Sequence, residues 1–340
     1  MEVVQSPSLN LVATKRLPSF ELNPYRSAVT WPPLTVALAD PASPLRQAVD
    51  ELLIDRTALK PLQAKFSNDA GSLQVQGTGS NPGTIGTALE LMLHWRLQVQ
   101  PNFGRAVRGA AMLDPAAVPA VLELLTTLGA SPGTPGPITE GESLVSIARG
   151  SFARDQLPLI ARLCWALGLF TEAYRNPRAA AAGPLGRLGT HDALKAADYL
   201  ALADEPAVQE LLELFYLAED RLIPTLRTRP QPWHLGPTFT GSTHATADAD
   251  LIFSGLLVDI KTRLGPKNTA NVRRAVLDPE VIRQLVGYVL HDLDDAYGIR
   301  EVGLYEARYG HLASWPVEAF LGEVELAVAR DRYRRVLTMG

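Results

Sequence analysis

Residues 249–262 read Ala-Asp-Leu-Ile-Phe-Ser-Gly-Leu-Leu-Val-Asp-Ile-Lys-Thr, and this stretch limits the fold more tightly than any other. Two apolar runs meet at Ser254-Gly255, a dipeptide suited to a tight turn. The spacing predicts one strand over 249–253 and a second over 256–262. Three charged residues interrupt the run. Side chains two apart share a face of a strand, so Asp259 and Lys261 project together, and the turn lets Asp250 approach Asp259 across the pair. Charges set among buried strands are costly unless paired or bound to an ion. Two carboxylates held close are hard oxygen ligands of the kind that suit Mg²⁺ or Mn²⁺.

The surroundings extend this pattern. A helix is predicted over 279–297, then a hairpin of 301–308 and 311–315 around Tyr309-Gly310. Strand, strand, helix, strand, strand suits a small mixed sheet with a helix packed on it. The segment 316–337 reads as helical and basic near its end. Ahead of Gln231 the character differs. The first forty residues, rich in Pro and Ser, predict irregular structure. Helical signals begin near Pro44, with Leu45, Val49, Leu52 and Leu53 on one face. Further helices are predicted over 84–99, 115–128, 143–148, 153–174, 191–203 and 205–226. Residues 77–83 read as a loop, and 129–142, with Pro132, Pro135 and Pro137 among glycines, as a flexible connection. The expected class is α/β (α+β). A mostly helical region, 1–230, precedes a mixed-sheet core at 231–325 and lends it one helix, about 84–99. Residues 326–340 form a closing helix end.

Composition narrows the function classes. The chain has 340 residues, 46% hydrophobic and 20% charged, which is a folded globular balance. Its start, Met-Glu-Val-Val-Gln-Ser-Pro, lacks the order of a signal peptide. No apolar run reaches membrane-spanning length; 159–170 is short and carries Arg162. Cys164 is the single cysteine, which excludes an intramolecular disulfide and predicts a buried core thiol. The expectation is a cytoplasmic protein without a membrane partner. A net charge of −4 argues against a general coat for nucleic acid, but a local basic groove is compatible with an acidic remainder. Other chemistries lack their motifs. Residues 77–82 put Pro where a dinucleotide fingerprint needs its third glycine, and no Gly-x-Ser-x-Gly elbow, metallopeptidase helix or Walker loop is present. Residues 292–298 break the spacing of a calcium loop and read as an acidic helix end.

Asp250, a spacer, then Asp259-Ile260-Lys261 on consecutive strands resembles the signature of the PD-(D/E)XK nuclease superfamily. Gln284-Leu285-Val286-Gly287-Tyr288, on the helix after Lys261, is similar to the Gln-x-x-x-Tyr motif of its RecB-like branch. Four apart, Gln284 and Tyr288 face the same way. That branch has an upstream helix with Gly-x-x-x-His and a Glu four residues on. Here Gly86, Glu90 and His94 keep the spacing with Glu and His exchanged.

The resemblance covers about 236–322 and implies a restriction-endonuclease-like core, with 101–226 as an insertion. It implies catalytic roles for Asp250, Asp259, Lys261, Gln284 and Tyr288. It implies Mg²⁺ or Mn²⁺ held by Asp250, Asp259, the Ile260 carbonyl and Glu90, with Glu213 and Glu219 competing for the place of Glu90. Such an ion polarises the scissile phosphate and makes a bound water more acidic, while Lys261 orients that water or stabilises charge on the phosphoryl oxygens. Arg263, Lys267, Arg273 and Arg274, in the polar loop after Lys261, are candidate phosphate contacts. His244, in the approach to Asp250, reads as a packed or solvated histidine. The expected partner is nucleic acid, DNA before RNA, and the expected activity is a hydrolase acting in repair or defence. The rival expectation is a non-catalytic binding module that keeps a nuclease fold.

Overall fold

The computed structural model describes residues 31–98, 101–133, 137–138, 154–230 and 232–339. The tight turn sits where its chemistry puts it. Ser254 and Gly255 have φ of 47° and 78°, so both central residues are left-handed, as a two-residue hairpin of matched twist requires. A Cβ at Gly255 would meet the Gly298 carbonyl at 2.7 Å, a second reason for glycine there.

This hairpin is the middle of a six-stranded sheet in the order β1 (Pro137–Ile138), β2 (Trp233–Leu235), β3 (Leu251–Phe253), β4 (Leu256–Lys261), β5 (Glu301–Glu306) and β6 (His311–Pro316). All neighbours are antiparallel except β4 and β5, which are parallel. Helices cover both faces. α1 (Leu34–Ala39) and α2 (Pro44–Leu52) lie on one face with two helices from the far end of the chain. α3 (Pro82–Leu97), α4 (Leu157–Arg175) and α5 (Glu205–Arg221) lie on the other. The far-end pair is α6 (Pro279–His291), the crossover that two parallel strands require, and α7 (Leu326–Met339).

The alternation of a strand decides which core each residue enters. Leu251, Phe253, Leu256 and Val258 pack with α3, α4 and α5; Ile252, Leu257, Val302 and Leu304 pack with α1, α2, α6 and α7. Two covered faces explain why these strands read as near-continuous apolar runs. Helix starts follow capping chemistry. Asn81 accepts from the Gly83 and Thr84 amides ahead of α3, and Asp278 from Val281 ahead of α6, each with proline at the first helical position. Cys164 is buried, as expected. Among the described residues no helix is long and apolar enough to cross a membrane.

Several boundaries differ from the predicted ones. α6 stops at His291 because the Asp292 carboxylate accepts from the Ala296 and Tyr297 amides and closes the chain into a turn. The helix predicted over 205–226 breaks at Leu222, and a short helix, Ile223–Arg227, begins with Pro224 at its second position. Only Ala196–Leu200 of 191–203 is helical. α1 lies inside the segment expected to be irregular, and Arg56–Asp69, Gly104–Leu113 and β2 are additional elements. The helix predicted over 143–148 lies outside the described residues.

Candidate functional site

Leu251 is paired with Val258, so one step further Asp250 stands opposite Asp259. The main-chain ladder has ended there. The Asp250 carbonyl turns to the Gly236 amide at 2.8 Å, and its carboxylate accepts the Ile260 N–H at 2.6 Å. The Ile260 amide thus ties the Asp250 carboxylate to β4. Asp259 is 2% exposed. Its Oδ1 accepts from Lys261 Nζ and from Gln284 Nε2, both at 3.1 Å. Its Oδ2 lies 2.8 Å from Lys261 Nζ but off the hydrogen-bonding direction, and is a buried oxygen without a donor.

α6 brings the next two residues to the same face. Gln284 Oε1 accepts from Lys261 Nζ at 3.0 Å, while its Nε2 donates to Asp259 and, at 2.8 Å, to the Tyr288 hydroxyl. Both amide protons are engaged, and turning the amide over would set its oxygen against a carboxylate. Phe239 stacks on Tyr288, with ring centroids 5.7 Å apart and planes at 26°. Asp259, Lys261, Gln284 and Tyr288 therefore form one hydrogen-bonded network.

α3 approaches the C-terminal end of β4. Thr262 Oγ1 donates to the Pro82 carbonyl at 3.5 Å, and a Cβ on Gly86 would lie 3.2 Å from that hydroxyl. Glu90, one turn along, is buried and acts on Asp250. Burial, Glu90 and Asp259 hold the Asp250 carboxyl well above the usual carboxylate range, against Lys261 and the Ile260 amide. Of the two competitors, Glu219 pairs with Arg96 at 2.8 Å, and the exposed Glu213 accepts from Gln209. His94, which sequence reasoning left without a role, reaches the Asp250 carbonyl with Nε2 at 3.3 Å. A carbonyl only accepts, so Nε2 carries the proton. Burial lowers the pKa of this histidine and favours the neutral ring. Glu90 thus bears on the carboxyl of Asp250 and His94 holds its backbone.

Among the described residues no three His, Cys, Asp or Glu side chains are gathered into a ready cage for a metal ion. The chain matches no family model, no curated protein and no solved structure. The donor set nevertheless fits a hard divalent cation. Asp259 and Glu90 both bear on the buried Asp250 carboxyl, and the buried Asp259 Oδ2 has no hydrogen-bond donor. Mg²⁺ is commonly held by one or two carboxylates with waters and substrate oxygens completing its shell, not by an all-protein cage.

The four loop cations divide. Arg263 is taken up by carboxylates: Nη2 lies 2.7 Å from Glu306 Oε1, and Nη1 pairs with Asp278. In this structure it is engaged within the protein. Arg273 is partly buried and donates to the Gly265 carbonyl at 2.8 Å. Lys267 and Arg274 are exposed. His244 is partly buried in the approach to Asp250.

A second set of charges, missed in the sequence, borders the acids. Arg105 Nη1 donates to Asp248 Oδ2 at 2.7 Å and Arg175 Nη2 to the same oxygen at 3.1 Å. Burial pushes the Asp248 carboxyl up, but the two guanidinium groups outweigh it and hold its pKa below the usual value. The one signal in the sequence was Asp248 itself, two residues before Asp250.

Proposed function

We propose that this protein is a divalent-metal-dependent nuclease, a hydrolase of phosphodiester bonds in nucleic acid and of DNA in preference to RNA. In this reading it has the restriction-endonuclease-like core of the PD-(D/E)XK superfamily, RecB-like branch, and serves repair or defence. The observation that carries the reading is the facing pair Asp250 and Asp259, with Lys261 and Gln284 both bonded to Asp259. A structural ion pair would match its charges. Here the acid side is in excess, and that excess calls for a cation.

Asp250, Asp259 and Glu90 would hold Mg²⁺ or Mn²⁺. When bound, such an ion supplies Lewis-acid polarisation of a phosphoryl oxygen and a more acidic water. Lys261 stays charged, because Asp259 and Asp250 outweigh the burial that opposes its charge. Two of its three N–H groups go to Asp259 and Gln284, and the third is left to steady the attacking water or a phosphoryl oxygen. Gln284 ties lysine, acid and Tyr288 together, so neither Asp259 nor Lys261 can rotate alone. His94 fixes the backbone from which Asp250 projects.

The test is cleavage of labelled single-stranded DNA, duplex DNA and RNA across titrations of Mg²⁺ and Mn²⁺. Metal-dependent cleavage is expected in the wild type. Asp259→Ala and Lys261→Ala should each lose roughly 10²–10³-fold or more with unchanged circular dichroism. Wild-type cleavage surviving in both variants would sink the assignment. Oligonucleotide binding with no cleavage under any metal would mark a binding module instead.

A further inference from the structure

Arg175 is the last residue of α4, inside the segment that the nuclease pattern leaves unexplained. Its guanidinium nonetheless ends among the acids of the site. Nη2 donates to Asp248 and lies 3.8 Å from Glu90 Oε2, while Nη1 donates to Thr87 Oγ1 at 3.4 Å. α4 lies against α3, the helix of Glu90: a Cβ on Gly168 of α4 would be 3.5 Å from the Ala88 amide nitrogen.

Exposure and charge then separate Arg175 from its neighbours. Its side chain is 40% exposed, against 9% for Glu90 and 2% for Asp259, so it stands at the rim of the cluster. Lys261 already answers Asp259, and Arg105 already answers Asp248 at 2.7 Å. Arg175 is thus a second cation on Asp248, held near Glu90 without a hydrogen bond to it. A cation taken up by Glu90 and Asp250 would weaken that electrostatic hold. The planar fork of a guanidinium matches the oxygens of a phosphodiester better than any other side chain.

We propose that Arg175 binds a non-bridging phosphate oxygen of the nucleic acid at this site, which places the substrate backbone between the C-terminus of α4 and the end of β4. The proposal rests on the nuclease reading of the same site. It also gives the helical segment a task, since α4 delivers the arginine.

The experiment compares wild type, Arg175→Ala, Arg175→Gln and Asp259→Ala in the full chain. Arg175→Gln keeps a polar side chain at this partly exposed position, and circular dichroism checks that each variant is folded. Cleavage kinetics in Mg²⁺ are combined with oligonucleotide binding in Ca²⁺ over a NaCl series, and with calorimetric titration of Mn²⁺ alone. Loss of one phosphate contact should reduce the slope of log K against log salt by about 0.9 on duplex or about 0.7 on single strands. KM should rise about tenfold or more in both Arg175 variants, with Mn²⁺ affinity retained. An unchanged salt slope and unchanged kcat/KM in both Arg175 variants, beside an inactive Asp259→Ala, would remove Arg175 and leave the nuclease reading standing. A wild type that neither binds nor cleaves would bring down both.

Discussion

Two clusters of buried charge meet at the C-terminal end of β4, and they differ in how completely they are matched. In the first, Glu210 of α5 accepts from the Thr78 amide at 2.7 Å, from the Thr78 hydroxyl and from Arg308. Arg308 gives its other donors to the carbonyls of Thr262 and Gln76. Both side chains are almost wholly buried, and charge answers charge. In the second, Glu90 and Asp259 bear on the buried Asp250 carboxyl, Lys261 pairs with Asp259, Arg175 lies 3.8 Å from Glu90 without a hydrogen bond to it, and Asp259 Oδ2 has no hydrogen-bond donor. Burial and pairing are common to both, so neither separates the clusters; on the proposed function the difference is the unmatched remainder. The matched cluster also serves the unmatched one, because Arg308 holds the carbonyl of Thr262, the residue after Lys261.

The contrast should be widest in the stability of the metal-free protein. Arg308→Met leaves Glu210 buried and unpaired, and should cost about 3–5 kcal/mol. Asp250→Asn removes a charge that burial, Glu90 and Asp259 already disfavour, while its amide oxygen can keep the Ile260 N–H. It should stabilise, by on the order of 1 kcal/mol. Chemical unfolding in the presence of a chelator measures both. Two losses of similar size would erase the distinction between the clusters.

How much of this was legible depended on whether the causes were local. The β3–β4 hairpin could be read because its two apolar runs and the Ser254-Gly255 turn lie within about a dozen residues. Gln284 and Tyr288 could be paired because four residues make one helical turn. The choice among the upstream acids was harder: Glu90, Glu213 and Glu219 look alike in sequence, and only the fold brings Glu90 close enough to bear on the charge of Asp250. Asp248, Arg105 and Arg175 meet across 143 and 73 residues of sequence, and no pattern announces that. β2 and α1 are three and six residues long, too short to show a period. The overrun of α6 came from Asp292, whose capping bonds run forward to Ala296 and Tyr297 and end a helix that apolar spacing would continue.

Glu306 stands between the two kinds of cluster and can be used to sharpen the comparison. It lies opposite Lys261 on β5 and is fully buried; Arg263 donates to Oε1 and Oε2 has no donor. Burial, opposed by Arg263, pushes its pKa from the ordinary 4.5 up to about 7. The folded protein then holds this proton more tightly than the unfolded chain between those values. Stability from this group is fully present below about pH 4.5, falls as pH rises to about 7 and is flat above, a change of about 3 kcal/mol at most. Glu306→Gln should remove that slope in urea unfolding measured from pH 5 to 8. A wild type parallel to the variant throughout would place Glu306 with the matched cluster.

The smallest effects should come from the loop, where the same division runs between neighbouring cations. Lys267 and Arg274 are exposed, so the double variant Lys267→Ala/Arg274→Ala should change stability by no more than about 0.5 kcal/mol. If both touch phosphate, the salt slope of duplex binding should drop by about 1.8. Arg263→Ala should do the reverse. It strips Glu306 and Asp278 of their shared partner and lowers Tm, yet leaves the salt slope as it was, because Arg263 is already engaged by protein carboxylates. A slope that fell in Arg263→Ala as well would mean that nucleic acid draws this arginine away from Glu306. That outcome would move Arg263 and Glu306 from the matched cluster into the site.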